Sequence, residues 1–417
     1  MKEVSVKEKN VSLYSSFISK EDLETLLDFS KKLKGKRIAF INSTSFGGGV
    51  AELFHSIVPL SRSMDVDLHW FVMEGDSRFF SITKKLHNML QGKGGEISKE
   101  DLDYYLEINR KNAEQMQGEY DIIVVHDPQP MALPFFMKQK QGYFIWRCHI
   151  DTSFPNAQAK EIIGKFLPLY DETIFSMESF AYGLNVSHYR IIYPSIDPLS
   201  PKNIEMSEEE TVSIVKKFGV NPYKPMIVQI SRFDPWKDPL GVIDVYKELK
   251  KKYKNIQLVL IGSMATDDPE GWQFYQKTLR HAGEDSDLFI LSNLDGVGSR
   301  EVNAFQRAAT IVLQKSIREG FGLTVSEALW KKRAVIGGRA GGITVQINHG
   351  ENGYLVTSND ECISVADELL RDEGKRKIFG NRGYEKVARE FLITRHIKDY
   401  FSMFSDKIER EKAGVVR

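Results

Sequence analysis

Strand-sized apolar runs alternate with amphipathic helical stretches along this chain. The rhythm breaks once and then starts again. That double alternation constrains the fold more than any other feature, because strand–helix–strand repetition implies parallel sheets covered by helices. The first series opens with a capped helix at SKEDLETLL (19–27), closed by Gly35. Its strands are RIAFIN (37–42), VDLHWFVM (66–73), DIIVVH (121–126), YFIWRCHI (143–150), ETIFSM (172–177) and RIIYP (190–194). DPLSPKNIEMSEEE (197–210) interrupts with prolines and then acid, and reads as a linker into a helix. The second series runs MIVQIS (226–231), IQLVLIG (256–262), DLFILS (287–292), TIVLQ (310–314), AVIGG (334–338) and GYLV (353–356).

At 417 residues the chain is too long for one ordinary core. The expected division is a first Rossmann-like domain at 1–205, a second at 206–390, and a helical segment, 391–417, packing back towards the first. Lys+Arg 57 equals Asp+Glu 57, so no basic bias argues for nucleic acid. No apolar run approaches a membrane span, and MKEVSVKEKNVSLY lacks a signal-peptide core. Cys148 and Cys362 lie far apart, with no partners at metal-ligand spacing. The expectation is a cytoplasmic protein without disulfides.

Two open α/β sheets bind ligands at the carboxyl ends of their strands, so polar motifs just after strands matter most. SFGGGVAE (45–52) opens a helix after the first strand. Its glycines, Gly48 and Gly49 among them, admit close approach of backbone to an anion, or simply make a tight turn. The spacing is not GxGxxG. In HDPQP (126–130), His126, Asp127 and Gln129 suit sugar hydroxyls, although Asp127 reads equally well as a helix cap before Pro128. WRCHID (146–151) ends another strand with His149 and Asp151. A Cys148–His149 nucleophile is rejected, since adjacent strand residues point to opposite faces.

SRFDPWKDP (231–239) follows the first strand of the second series. Arg232 as a fork and Lys237 as a point charge suit a diphosphate, or are solvated surface cations. Three DxD strings begin at Asp65, Asp101 and Asp285. None follows a strand as a metal-binding one would, so no metal site is expected. The P-loop pattern is absent.

REGFGLTVSEALW (318–330) places Glu319 in a glycine turn and Glu327 inside the helix that follows. The amides around Gly320, Phe321, Gly322, Leu323 and Thr324 would draw phosphates. Glu319 then lies near what the phosphate carries, and Glu327 near the opposite end. Both ends of a nucleoside diphosphosugar offer vicinal diols, which carboxylates accept well. Taken singly, the two are an ordinary loop glutamate and helix glutamate.

Glu319 and Glu327 resemble the Glu-x7-Glu motif of retaining GT-B glycosyltransferases, the glycogen synthase and sucrose synthase kind. The Arg232/Lys237 loop, His149 and the glycine loop match in order. GGGVAELFHSIVPL, HDPQP, WRCHIDTSFPN, SRFDPWKDPLGVIDVY and REGFGLTVSEALW look like the trehalose branch, which holds trehalose glycosyltransferring synthases and trehalose phosphorylases. The resemblance implies a GT-B fold, two Rossmann-like domains facing a central cleft. It implies that Glu319 binds donor hexose, Glu327 the ribose, and Arg232 and Lys237 the departing diphosphate, with His149 beside the reacting carbon. Gly48 and Gly49 would cover the diphosphate, and main chain at Asn293–Leu294 would read the base. GGITVQI (341–347) departs from the pattern, with Thr344 where many relatives have Pro and Gln346 where they have Glu.

The reading is a retaining glucosyltransferase making α,α-trehalose from a nucleoside diphosphoglucose and glucose. Its His126, Asp127, Gln129 and Asp151 take the acceptor. No cofactor is tightly held, and Mg2+ assists only by pairing with nucleotide. Partners are small-molecule substrates, neither nucleic acid nor membrane, with a homodimer left open. The alternatives are a trehalose phosphorylase and, from another class, a non-catalytic nucleotide-sugar sensor.

Overall fold

The computed structural model describes residues 1–46, 48–137, 142–264 and 269–413. Met1–Ser195 and Ile393–Arg417 form one unit, and Ile196–Leu392 the other. The proline-rich stretch 197–210, read from sequence as a linker, lies within the second unit.

Among the described residues the first unit holds seven strands: β1 (Lys2–Glu3), β2 (Arg37–Asn42), β3 (Asp67–Val72), β4 (Ile122–His126), β5 (Tyr143–Arg147), β6 (Glu172–Phe175) and β7 (Arg190–Ile191). Their order is β1-β3-β2-β4-β5-β6-β7, and only β1 is antiparallel to its neighbour. Every residue of β4 is buried, which is why its sequence is continuously apolar rather than alternating. The helix Ile393–Lys412 buries Ile397, Tyr400, Phe401 and Phe404 in this unit. Tyr400 packs against Phe40 of β2, ring centroids 5.3 Å apart.

The second unit holds β8 (Met226–Ile230), β9 (Gln257–Gly262), β10 (Leu288–Ser292), β11 (Ile311–Gln314), β12 (Ala334–Gly338) and β13 (Tyr354–Val356). The order β10-β9-β8-β11-β12-β13 is parallel throughout. Both units are Rossmann-like, as expected.

Each sheet reverses its winding once. β2 lies between β3 and β4, and β8 between β9 and β11. Crevices open where winding reverses, at the carboxyl ends of the two diverging strands. The motifs that follow β2 and β4, and those that follow β8 and β11, therefore flank these two points. This is how the topology gathers residues far apart in sequence.

Two expectations are corrected locally. YFIWRCHI stops being strand at Arg147, so Cys148 and His149 are not alternating strand residues. The nucleophile reading still fails, for a different reason: burial pushes the Cys148 thiol pKa far up, and its Sγ contacts Ile150 O. Asp127 caps no helix at Pro128, because the nearest helix begins at Leu133. Of the DxD strings, Asp285 accepts from Tyr246 while Asp287 pairs with Lys224 and Lys250.

Candidate functional site residues in each unit

In the second unit the loops after β8 and β11 fold into one framework. Asp234 starts it by accepting from the backbone N–H groups of Trp236 and Lys237, which folds PWK into a single 3-10 turn. Asp238 follows at φ +48, a left-handed residue, and caps the helix Pro239–Lys252 through Gly241 N–H. A Cβ on Gly241 would collide with that carboxylate. The turn is then stitched to the β11 loop. Ile317 N–H donates to Trp236 O at 2.7 Å, Lys315 Nζ pairs with Asp238, and Gln229 Nε2 donates to Lys237 O at 2.9 Å.

Lys237 and Glu319 meet in this framework. Lys237 Nζ donates to Glu319 Oε2 at 2.6 Å. Ser316 Oγ donates to the same oxygen at 3.0 Å and Gln314 Nε2 at 3.4 Å. Glu319 is only 8% exposed. Arg232 behaves otherwise: its side chain is 62% exposed and pairs with Asp234 at 3.3 Å. It stands at the rim, held by its own loop.

Gly322 at φ +81 is the N-cap of the helix Leu323–Trp330, and it has no side chain to cap the first turn. Leu323 and Thr324 carry the first N–H groups of that helix, and Thr324 Oγ1 donates to Gln314 Oε1 at 3.0 Å. Gly320 O accepts from Gly342 N–H, and Phe321 O accepts from Gln346 Nε2 at 2.6 Å. Gln346, the position flagged as a departure, braces the glycine turn with an amide hydrogen that an ionised glutamate lacks.

Glu327 is 2% exposed and poorly satisfied. Gln306 Nε2 reaches its Oε2 at 3.4 Å, and Lys202 Nζ stands 3.8 Å from its Oε1. One turn on, Lys331 Nζ donates to Glu327 O and to Asn203 Oδ1. Burial pulls the Lys331 pKa down to about 7 despite the Glu327 carboxylate. A buried carboxylate held, among the described residues, by long contacts alone has strong acceptor capacity left over.

The side chain of Asn293 is spent on Met264, accepting from its N–H at 2.7 Å and donating to its carbonyl at 3.1 Å. Leu294 beside it is 62% exposed. A ligand at this turn would meet main chain and an apolar side chain, not the Asn293 amide.

The first unit carries its own cluster of the residues singled out from sequence. Gly48, at φ +113 and ψ 155, is the N-cap before Gly49 begins the helix Gly49–Arg62. Gly47 lies outside the described residues. Asp127 has φ +65, and its Oδ1 accepts from His149 N–H at 2.8 Å. Burial pushes the Asp127 pKa up to about 7, against the pull of that N–H and of Arg147. Asp151 is buried, and its Oδ1 accepts from Ser153 N–H. Gln129 O accepts from Asn109, and its buried Oε1 has no protein partner among the described residues.

His126, expected to take an acceptor hydroxyl, is an enclosed side chain. It is 1% exposed, its Nδ1 lies 3.0 Å from His149 Nε2, and its ring is boxed by Phe40 and Phe54. Its Nδ1 is engaged by His149 and its ring is enclosed.

Sequence reading missed Gln229, Gln314, Ser316 and the Lys315–Asp238 pair. A signal existed. MIVQI and IVLQ each carry a glutamine near the end of an apolar strand, and Gln229 registers opposite Leu313, one residue before Gln314. A polar residue at the carboxyl end of a buried parallel strand points at the switch point.

Residues 40–182 match the family described as trehalose synthase, N-terminal domain, and residues 212–386 match glycosyl transferases group 1. The trehalose synthase of Thermococcus litoralis is 46% identical over 400 residues, covering 95% of this chain and 97% of that protein. The chain belongs to the trehalose synthase family. A trehalose phosphorylase of Pleurotus pulmonarius is a more distant relative of this family member, 28% identical over 82% of the chain and 53% of that protein. A solved E. coli trehalose-6-phosphate protein bound with UDP-2-fluoro glucose shares its fold. The TM-score is 0.70 at 13% identity, over 90% of this chain and 99% of the other. Among the described residues, no helix is long and apolar enough to cross a membrane.

Proposed function

We propose that this trehalose-forming glycosyltransferase moves a glucosyl group from a nucleoside diphosphoglucose to the anomeric hydroxyl of glucose, with retention, giving α,α-trehalose. The observation that carries the reading is one helix with a carboxylate at each end of its task. Glu319 stands before Gly322 and pairs with Lys237, while Glu327 is buried five residues into Leu323–Trp330. A diphosphate at that helix start would have hexose on the Glu319 side and ribose on the Glu327 side.

The chemistry follows from charge. As the glycosidic bond breaks, negative charge grows on the departing diphosphate. Lys237, the amides at Leu323 and Thr324 and, from the rim, Arg232 answer it, and donors aimed where charge develops act mainly in the transition state. The Lys237–Glu319 pair orients both members before donor arrives. The diphosphate itself would take the acceptor proton. No tightly held metal or cofactor is required. A cytoplasmic location suits such substrates.

Phosphorolysis is the competing reading, and running the reaction backwards separates the two. Trehalose is mixed either with a nucleoside diphosphate or with inorganic phosphate. The proposal expects nucleoside diphosphoglucose in the first tube and no glucose 1-phosphate in the second. The reverse pattern overturns it.

A further inference from the structure

Two histidine rings in the first unit lie nearly parallel, 16° apart with centroids 5.3 Å apart, and share one hydrogen bond, His126 Nδ1 to His149 Nε2 at 3.0 Å. Burial, with help from the Arg147 charge, pushes both pKa values well below the ordinary histidine range. Both rings are therefore neutral, and a single hydrogen lies between them. Either His126 donates it or His149 does.

The rest of His126 decides which. If His149 donated, His126 would carry its own hydrogen on Nε2. That nitrogen is fully buried and has no partner among the described residues. It sits in the box formed by Phe40 and Phe54, with ring centroids at 5.2 Å and 4.6 Å. A buried N–H left without an acceptor bears the full cost of its lost hydration, and such groups are rare. The other arrangement leaves only a bare lone pair in that box. The hydrogen then sits on His126 Nδ1, and His149 must hold its own on Nδ1.

We infer that His126 is a positioning residue that fixes His149 as the Nδ1–H tautomer, so that His149 offers the sugar a hydrogen-bond donor and not a base. His149 Nδ1 has no protein partner among the described residues. Asp127 completes the arrangement by holding His149 N–H through Oδ1, which fixes the backbone that carries the ring. This inference rests on the proposed glucosyl transfer, and it narrows that reaction. With its Nε2 occupied by His126 and its Nδ1 protonated, His149 cannot take the acceptor proton. That leaves the departing diphosphate as the base.

The test begins without substrate. The full-length protein is labelled with 15N-histidine, and long-range proton–nitrogen correlations are recorded at pH 7. His149 and His126 are assigned from the signals lost in His149→Phe and His126→Phe. The expected spectrum shows protonated Nδ1 and bare Nε2 in both rings. A protonated His149 Nε2 overturns the inference. Isolated neutral imidazole favours the Nε2–H form, so His126→Phe is expected to move His149 towards it. Turnover should then fall by about tenfold to a hundredfold, with donor KM changed little. His126→Asn puts an amide N–H near the lost Nδ1–H, and should restore turnover to within about threefold of wild type. Equal losses in the Phe and Asn variants, or wild-type turnover in His126→Phe, overturn the inference as well. If the wild-type tautomers are as stated and no sugar is transferred from any nucleotide donor, the functional reading fails and the tautomer assignment stands.

Discussion

Lys237 Nζ lies 2.6 Å from Glu319 Oε2, joining two loops that are 82 residues apart in sequence. Both side chains are mostly buried, 13% and 10% exposed, so neither charge is well hydrated. Each holds the other in place. Removing one member of such a pair leaves a buried, uncompensated charge.

Lys237→Ala should therefore lower turnover by roughly a hundredfold, about 3 kcal/mol, while donor affinity changes little. The pairing adds a second expectation. Lys237→Ala combined with Glu319→Gln should lose less than the sum of the two single losses, because the stranded carboxylate is gone. Steady-state kinetics on the three variants checks both. A turnover loss under threefold for Lys237→Ala would reduce that residue to a surface lysine.

Much of this arrangement was legible in the sequence. Glycine, lysine and glutamate fall just after strand-like runs, and a parallel sheet delivers such positions to its switch point. What stayed hidden was pairing. Nothing local in SRFDPWKDP or KSIREGFGL says that Lys237 chooses Glu319 or that Lys315 chooses Asp238. The first unit was harder to read. Its two histidines carry separate expected roles, His126 towards the acceptor and His149 beside the reacting carbon, whereas the structure joins the buried His126 to His149 by a hydrogen bond. The misjudged end of YFIWRCHI had a similar cause: Cys148 and His149 are apolar and aromatic enough to extend a strand, yet the ladder between β4 and β5 ends at His126 and Arg147. Of the fold, strand identity and both parallel sheets were legible. The division of the chain was less so, since the proline-rich stretch 197–210, which reads locally as a linker, lies within the second unit.

Glu327→Gln should weaken nucleoside diphosphate binding by about 1–3 kcal/mol, as when a charged hydrogen bond is lost. Free nucleoside diphosphate and donor should lose equally, and glucose 1-phosphate not at all. Calorimetric titration of the three ligands reads this directly. Unchanged nucleotide affinity in a folded variant would remove the ribose from Glu327.

Asp127 gives a pH-dependent expectation. Its pKa is raised from 3.8 to about 7 in the folded protein, mainly by burial. The folded state thus binds a proton more readily than the unfolded chain. The resulting stability is complete below about pH 4 and is lost as pH rises through about 7. Asp127→Asn keeps an acceptor for His149 N–H without the charge. It should gain on the wild type by about 3 kcal/mol more at pH 8 than at pH 5. Denaturant titrations at the two pH values measure it, and an equal difference at both would show that the carboxylate is well solvated.

Among the described residues, no group of three or more His, Cys, Asp or Glu could hold a metal ion. Extensive chelation should leave transfer intact apart from any assistance Mg2+ gives the nucleotide. Complete loss, restored only by added metal, would contradict the proposed charge stabilisation by protein groups alone.

The central claim is tested most directly by following the glucosyl carbon. The protein is incubated with free glucose and nucleoside diphosphoglucoses of several bases, labelled with 13C at the glucosyl C1, and the products are read by NMR. The account predicts labelled α,α-trehalose with one nucleoside diphosphate released per molecule formed. A β-linked product, or hydrolysis to glucose alone, would contradict it. So would trehalose formed from glucose 1-phosphate but from no nucleotide donor.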